Sequence, residues 1–227
     1  MANFIYDIEK RLEDIPKNKK YLNKYFFLAE KNGYKLINQG HLLLSNKFPR
    51  YIREFIREHQ EVIFIPNAKS WMKDGAVLRA IKDKKFMVMG KTDVPYRYWD
   101  LDIKYGEPVV IVEGAIDCDV MREIYKPTVG LLTSGASDKY VDALSLLTNK
   151  VILLYDNDKT GERLTRVDSE KFRKAKFHVE VMKQYSKNKD TGDIIDLELQ
   201  MKSHLATQSR TYYKATLDII LNKMSMK

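Results

Sequence analysis

One cysteine, four histidines and no long apolar run among 227 residues remove several classes of protein before any motif is read. Cys118, alone, cannot close an internal disulfide. It is expected to pack as a small apolar residue. The scattered His41, His59, His178 and His204 add no spacing for a structural zinc site. No stretch approaches the roughly 20 apolar residues of a membrane span, and the N-terminus lacks the apolar core of a secretory signal. The expected setting is cytoplasmic, with no membrane partner. A Walker loop is missing as well: Gly90-Lys91-Thr92 has its basic and hydroxyl residues, but Lys85 stands five positions earlier where that loop needs glycine. A P-loop motor is excluded with it.

What the chain does have is charge and enough apolar mass for a core. It is 44% hydrophobic and 31% charged, with a net charge of +9. Residues 1–60 hold 12 Lys/Arg against 7 Asp/Glu, so much of the surplus lies there. A basic flank beside a cluster of acids suits a metal-dependent enzyme acting on polyphosphate or nucleic acid. A lysine-rich solvated surface reads the same way.

Residues 108–161 organise the rest. Two apolar runs, Val109-Val110-Ile111-Val112 and Val151-Ile152-Leu153-Leu154-Tyr155, each lead straight into acids. Glu113-Gly114-Ala115-Ile116-Asp117 follows the first, and Asp156-Asn157-Asp158-Lys159-Thr160-Gly161 follows the second. Uniformly apolar runs of this length read as buried strands of a parallel sheet. Acids at their C-terminal ends then share the sheet edge at which open α/β folds bind ligands.

Upstream, Ile5, Ile8, Leu12 and Ile15 recur at helical spacing, Pro16 interrupts, and Tyr21, Leu22, Tyr25, Phe26 and Leu28 resume it. Residues 3–31 are therefore expected to be helical, up to the Asn32-Gly33 turn. Residues 48–60 read as an amphipathic helix with Arg50, Arg53 and Arg57 interleaved among apolar residues. Short strands follow over 62–65, 76–80 and 85–89, a small β-rich element. Beyond Gly114 the order is helix 117–125, strand 128–132, the small-residue loop 133–137, a helix to 147, the second apolar strand, helix 161–175 and strand 177–181. A polar loop over 183–192, a helix opened by Asp193 and an amphipathic helix over 212–224 complete the chain. Alternating βα units imply an α/β fold with a parallel sheet flanked by helices. The expected division is a basic helical and small β-rich part over 1–107, a catalytic α/β domain over 108–203 and a C-terminal helix over 204–227.

Charges at strand ends must be solvated, paired or metal-bound. Asp156 and Asp158, two apart on an irregular turn, can both face one cation, and carboxylate oxygens suit Mg²⁺ or Mn²⁺. Glu113 on the neighbouring strand end can join that shell or take a proton from an attacking hydroxyl. Asp-x-Asp-x-x-Gly also opens an EF-hand loop, but here it follows a strand and its twelfth position is Val167 instead of Glu. The nucleophile segment of haloacid-dehalogenase-type phosphatases is similar too; the 67 residues beyond Thr160 are too few for that family's remaining motifs.

Together, Glu113-Gly-x-x-Asp117, the 133–137 loop and Asp156-x-Asp158-x-x-Gly161 resemble the TOPRIM domain of bacterial-type primases, topoisomerases, and some nucleases and ribosomal-RNA maturases. Residues 110–163 look closest to primases and phage primase–helicases, in the Ser-Gly-Ala-Ser loop and in the tyrosine before the paired aspartates. Lys189-Asp190-x-x-Asp193 resembles a segment that follows the sheet in primases and adds metal ligands. Residues 61–91 resemble their small β subdomain, with Arg79 and Lys85 where basic residues contact template or nucleotide phosphates. The resemblance spans 61–202.

It implies a TOPRIM-like α/β catalytic domain that makes short primers on single-stranded DNA from nucleoside triphosphates. Glu113 is implied as general acid/base or metal ligand with Asp117 near it, while Asp156, Asp158, Asp190 and Asp193 hold two or more Mg²⁺ or Mn²⁺ ions. Arg79, Lys85 and Lys91 steady phosphates. The chain departs from primases in lacking the cysteines of their N-terminal zinc module. It also lacks a helicase motor. A minimal or split primase of phage or plasmid replication, borrowing a helicase or template-recognition protein in the host cytoplasm, is the expectation. A TOPRIM metal-dependent nuclease and a non-catalytic nucleic-acid-binding accessory protein are the alternatives.

Overall fold

The computed structural model describes residues 12–16, 28–29, 31–38, 48–67, 75–83, 85–90, 93–104 and 106–182. Two sheets are built from them. The first is antiparallel, in the order β1-β2-β3-β4-β5, from Glu13–Asp14, Lys35–Asn38, Glu61–Pro66, Gly75–Ala80 and Phe86–Gly90. Because side chains alternate across a strand, its two faces read separately. Val62, Phe64, Ala76, Leu78, Ala80 and Met89 meet Ile52, Phe55 and Ile56 of helix α1, Arg50–His59, whereas Leu36, Ile63, Ile65 and Val77 face the other way.

The N-terminal expectation needs one correction. Helical spacing over 3–31 predicts helix, yet Glu13 and Asp14 pair with Leu36 and Lys35 as strand β1. Residues 28–29 and 31–32 are helical, and Gly33, at φ 71°, closes that turn with its N–H on the Ala29 carbonyl. Leu12, Ile15 and Pro16 are likewise outside any helix, while 3–11, 17–27 and 30 lie outside the described residues, as do 183–227 with their expected loop and two helices. Pairing with β2, a tertiary contact, overrides the local period at Glu13.

The second sheet is parallel throughout. Strands β6 Val109–Val112, β7 Thr128–Gly130, β8 Lys150–Leu153 and β9 His178–Val181 lie in the order β7-β6-β8-β9. Helices α2 Ala115–Ile124, α3 Asp138–Ser145 and α4 Lys159–Lys174 make the three crossovers. On one face Val110, Val112, Ile152 and Leu154 pack with Cys118 and Met121 of α2 and with the inner face of the antiparallel sheet. On the other, Val109, Ile111, Val151 and Leu153 pack with Tyr140 and Leu144 of α3 and Leu164 and Phe172 of α4. Burial on both faces is why these strands show no apolar–polar alternation. From β6 the chain crosses first to β7 on one side and then to β8 on the other. The gap between β6 and β8 is therefore the topological switch point.

A buried polar network joins the two sheets. Arg97, with no exposed surface, donates from Nε to Asp119 Oδ1 at 2.7 Å and from Nη2 to Oδ2 at 2.8 Å, and its Nη1 reaches Asp100 at 3.1 Å. Tyr34, just ahead of β2, and Tyr96 donate their hydroxyls to Asp119 Oδ2 at 2.6 and 2.7 Å. Burial pushes both phenols well above their usual pKa, which keeps them protonated and donating. Tyr96 also exchanges backbone hydrogen bonds with Gly130 at 2.8 and 3.1 Å, fastening the linking segment to the β7 edge. Among the described residues no helix is long and apolar enough to cross a membrane.

Candidate active site

Ile111 of β6 sits opposite Leu153 of β8, and the Leu154 N–H donates to the Ile111 carbonyl at 2.9 Å. Just past this last rung the two acidic stretches begin. The Asp156 N–H donates to Glu113 Oε1 at 3.0 Å, tying the side chain at one strand end to the backbone of the other. Gly114 then starts α2, and a Cβ on it would lie 2.5 Å from Asp117 Oδ2, so the Asp117 carboxylate lies back over that turn. Asp158 caps α4, its Oδ1 accepting the N–H groups of Thr160 and Gly161 at 2.9 Å each.

Gly161 is required by crowding. A Cβ there would stand 2.0 Å from the Asp156 carbonyl oxygen and 3.0 Å from Glu113 Oε1. Gly161→Ala is expected to push α4 away from the strand ends, at about 1–3 kcal/mol of stability by overpacking. Denaturant unfolding checks that figure.

Electrostatics mark the same spot. Burial is the main influence raising the Glu113 pKa; the Asp156 N–H opposes it, and the charges of Asp158, Asp117 and Asp168 raise it further. The structure thus brings Glu113, Asp117, Asp156 and Asp158 to one sheet edge. A raised carboxyl pKa means that the folded chain holds this proton more tightly than the unfolded chain does. Ionising Glu113 therefore costs stability, and the cost accumulates as pH climbs from the ordinary glutamate range through the raised value. Glu113→Gln, which can keep the bond from Asp156, is expected to melt higher than wild type at pH 7. That advantage shrinks as pH falls toward 4, and thermal melts across this range check it.

The basic candidates separate. Arg79 lies on β4 beside Val77, on the face turned toward the parallel sheet, and its Nε is buried without a hydrogen-bond partner. Lys85 immediately precedes β5 and reaches Glu58 of α1 at 3.4 Å, on the opposite side of the sheet. Lys91, Asp190 and Asp193 lie outside the described residues.

The donor set at the switch point is made of carboxylate oxygens, the chemistry of Mg²⁺ or Mn²⁺ and unlike a thiolate or imidazole site. Among the described residues no three His, Cys, Asp or Glu side chains enclose a single point. Mg²⁺ in phosphoryl-transfer sites is held by one or two carboxylates with water and substrate phosphates completing its shell, so this open arrangement fits it.

Two buried carboxylates escape the motif reading. Asp119 and Asp168 are both wholly or almost wholly buried, the first in the network with Arg97 and the second between Tyr155 and Ala136. Their signal was positional: Asp168 falls between Leu164 and Phe172 at the four-residue spacing of an apolar stripe, where a carboxylate needs a reason.

Residues 110–195 match a family model described as Toprim-like. No curated protein sequence matches the chain. Among solved structures, the zinc-binding and RNA polymerase domains of the Aquifex aeolicus primase superpose with a TM-score of 0.64 at 14% identity, over 89% of this chain and 60% of that one. The RNA polymerase domain of the Mycobacterium tuberculosis primase DnaG gives 0.62 at 14% identity, over 88% and 82%. A DnaG primase catalytic domain bound to single-stranded DNA gives 0.57 at 13%, over 89% and 78%. This chain thus spans less than two thirds of the Aquifex aeolicus fragment. At these identities the likeness is one of fold: a Toprim-like parallel sheet with a small antiparallel sheet before it.

Proposed function

We propose that this chain, a Toprim-like domain on the fold of a primase catalytic core, is a metal-dependent nucleotidyltransferase that makes short primers on single-stranded DNA. One observation carries the reading: Glu113 and the Asp156 backbone are bonded across the switch point, with Asp117 and Asp158 close enough to raise the Glu113 pKa. Clustered acids at that place in an α/β sheet suit a cation and a polyphosphate.

Asp156 and Asp158, with Asp190, would hold two or more Mg²⁺ or Mn²⁺ ions, and Asp117 and Asp193 would extend the set. Such ions, when bound, lower the pKa of a primer 3′-hydroxyl and neutralise the triphosphate during in-line displacement. Glu113 receives the proton of the attacking hydroxyl. Its Oε1 is held by the Asp156 N–H, so Oε2 is the oxygen that turns to the substrate. Arg79, half-buried on β4, would contact template or nucleotide phosphate. Lys85 leaves a surface pairing with Glu58 to do the same, and Lys91 acts beside them. In this reading residues 1–107 and 204–227 flank a catalytic domain over 108–203. A separate helicase or template-recognition protein acts beside it, in phage or plasmid replication in the host cytoplasm.

The test is incubation of the full chain with labelled nucleotides and a single-stranded DNA oligonucleotide in Mg²⁺ or Mn²⁺, resolved on a denaturing gel. A short ladder that requires template and disappears with Asp156→Asn is expected. Undiminished product from Asp156→Asn contradicts the assignment.

A further inference from the structure

Asp168 sits at the centre of α4 with no exposed surface, where an apolar residue between Leu164 and Phe172 would pack at less cost. Both its carboxylate oxygens are 3.1 Å from the Ala136 nitrogen, whose N–H they share, and Oδ2 also accepts the Tyr155 hydroxyl at 2.7 Å. Near by on the same helix, Lys171 donates from Nζ to the Ala136 carbonyl at 2.7 Å and pairs with Asp138 at 3.1 Å. Two side chains of α4 thus grip both backbone groups of one loop residue. Gly135, at φ 135°, bends closely round the carboxylate: a Cβ there would lie 3.2 Å from Asp168 Oδ1.

The contacts close a circuit through Glu113. The Leu132 N–H donates to the Glu113 carbonyl at 3.0 Å, so the loop over 133–137 departs from Glu113 itself. Asp168 binds that loop at Ala136 and binds Tyr155 by its hydroxyl. Tyr155 is followed by Asp156, whose N–H returns to Glu113 Oε1 at 3.0 Å. We infer that Asp168 is a positioning residue: it fastens the loop over 133–137 and the Tyr155–Asp156 strand end to α4, and so holds Glu113 in its working orientation. The inference rests on the proposed nucleotide transfer for the activity to be measured.

The test compares Asp168→Ala, Asp168→Asn and Tyr155→Phe in the full chain, each assayed well below its melting temperature, with amide exchange over 133–137 followed in parallel. Asn can still accept the Ala136 N–H and can donate to the tyrosine oxygen, so it is expected to retain most of the wild-type kcat. Asp168→Ala is expected to lose about 10- to 100-fold in kcat with little change in nucleotide KM, as misplacement of reacting groups does. Its loop amides should exchange faster while the β6 and β8 amides stay protected. Full kcat in a folded Asp168→Ala, or equal losses in Asn and Ala, overturns the inference. If Asp168→Ala does not fold, Tyr155→Phe decides: reduced kcat supports positioning and wild-type kcat overturns it. Should the wild-type chain incorporate no nucleotide, the functional reading fails by itself. The clamp is then judged by exchange alone, and unchanged loop exchange in Tyr155→Phe and in whichever Asp168 variant folds overturns it.

Discussion

Asp119→Ala is expected to destabilise the protein by about 3–5 kcal/mol, the cost of breaking a buried ion pair by removing one partner, even with Asp100 still beside Arg97 Nη1. Arg97 has no exposed surface, and both of its strong bonds, at 2.7 and 2.8 Å, end on Asp119. The same carboxylate takes the Tyr34 and Tyr96 hydroxyls, so its removal strands four donor groups on three residues. Domains of this kind have roughly 5–15 kcal/mol in total, so this variant is expected to be substantially unfolded on mild heating. The double variant Arg97→Met/Asp119→Leu separates the pair's net worth from the penalty of breaking it. Replacing a buried ion pair by apolar groups of similar volume is often nearly neutral, so the double variant is expected to be more stable than Asp119→Ala. Denaturant unfolding of the two proteins beside wild type checks both statements. A loss below 1 kcal/mol in Asp119→Ala contradicts the network as the joint between the sheets.

Glu113→Gln is expected to lower nucleotide transfer by about 10²- to 10⁴-fold, the range over which a positioned general base contributes. The amide keeps an oxygen for the Asp156 N–H but cannot accept a proton, so the geometry stays and the chemistry goes. The same change is expected to raise thermal stability at pH 7, since it removes a carboxylate whose ionisation the fold opposes. Lower activity in a more stable protein is the signature of a site whose strain serves function. Binding to a fluorescent single-stranded oligonucleotide, read by anisotropy, is expected to stay within a few-fold of wild type. Loss of activity through loss of binding, or a drop in melting temperature, contradicts the role given to Glu113.

Much of this was legible in the residues. The runs at 109–112 and 151–155 are apolar throughout because both faces are covered, and that pattern alone placed two parallel strands with acids at one edge. Gly161 was legible only as the last position of the Asp156-x-Asp158-x-x-Gly161 pattern; its reason is the 2.0 Å approach of a Cβ there to the Asp156 carbonyl oxygen. The β1 pairing was hidden because a two-residue strand has no period to read, and its partner lies beyond the Gly33 turn. Arg79 and Lys85 look equivalent in sequence, but Arg79 is opposite Phe86 in the β4–β5 register. Lys85, one residue before Phe86, therefore belongs to the other face. Arg97 and Asp119 are 22 residues apart, and nothing local announces that they meet. Neither Asp119 nor Asp168 was singled out in the sequence, although Asp168 interrupts the apolar spacing of Leu164 and Phe172. What they bind became evident only with the fold.

The central claim, that the acids between β6 and β8 join nucleotides on a DNA template, is tested most directly by the mass of the product. Wild-type protein, unlabelled nucleoside triphosphates, Mg²⁺ and a single-stranded template of defined sequence are incubated, and the mixture is read by mass spectrometry beside Asp156→Asn. New oligomers complementary to the template, each bearing a 5′-triphosphate and absent with Asp156→Asn, are the predicted result. Fragments of the template itself that depend on Asp156 would contradict primer synthesis and identify the same carboxylates as a nuclease site.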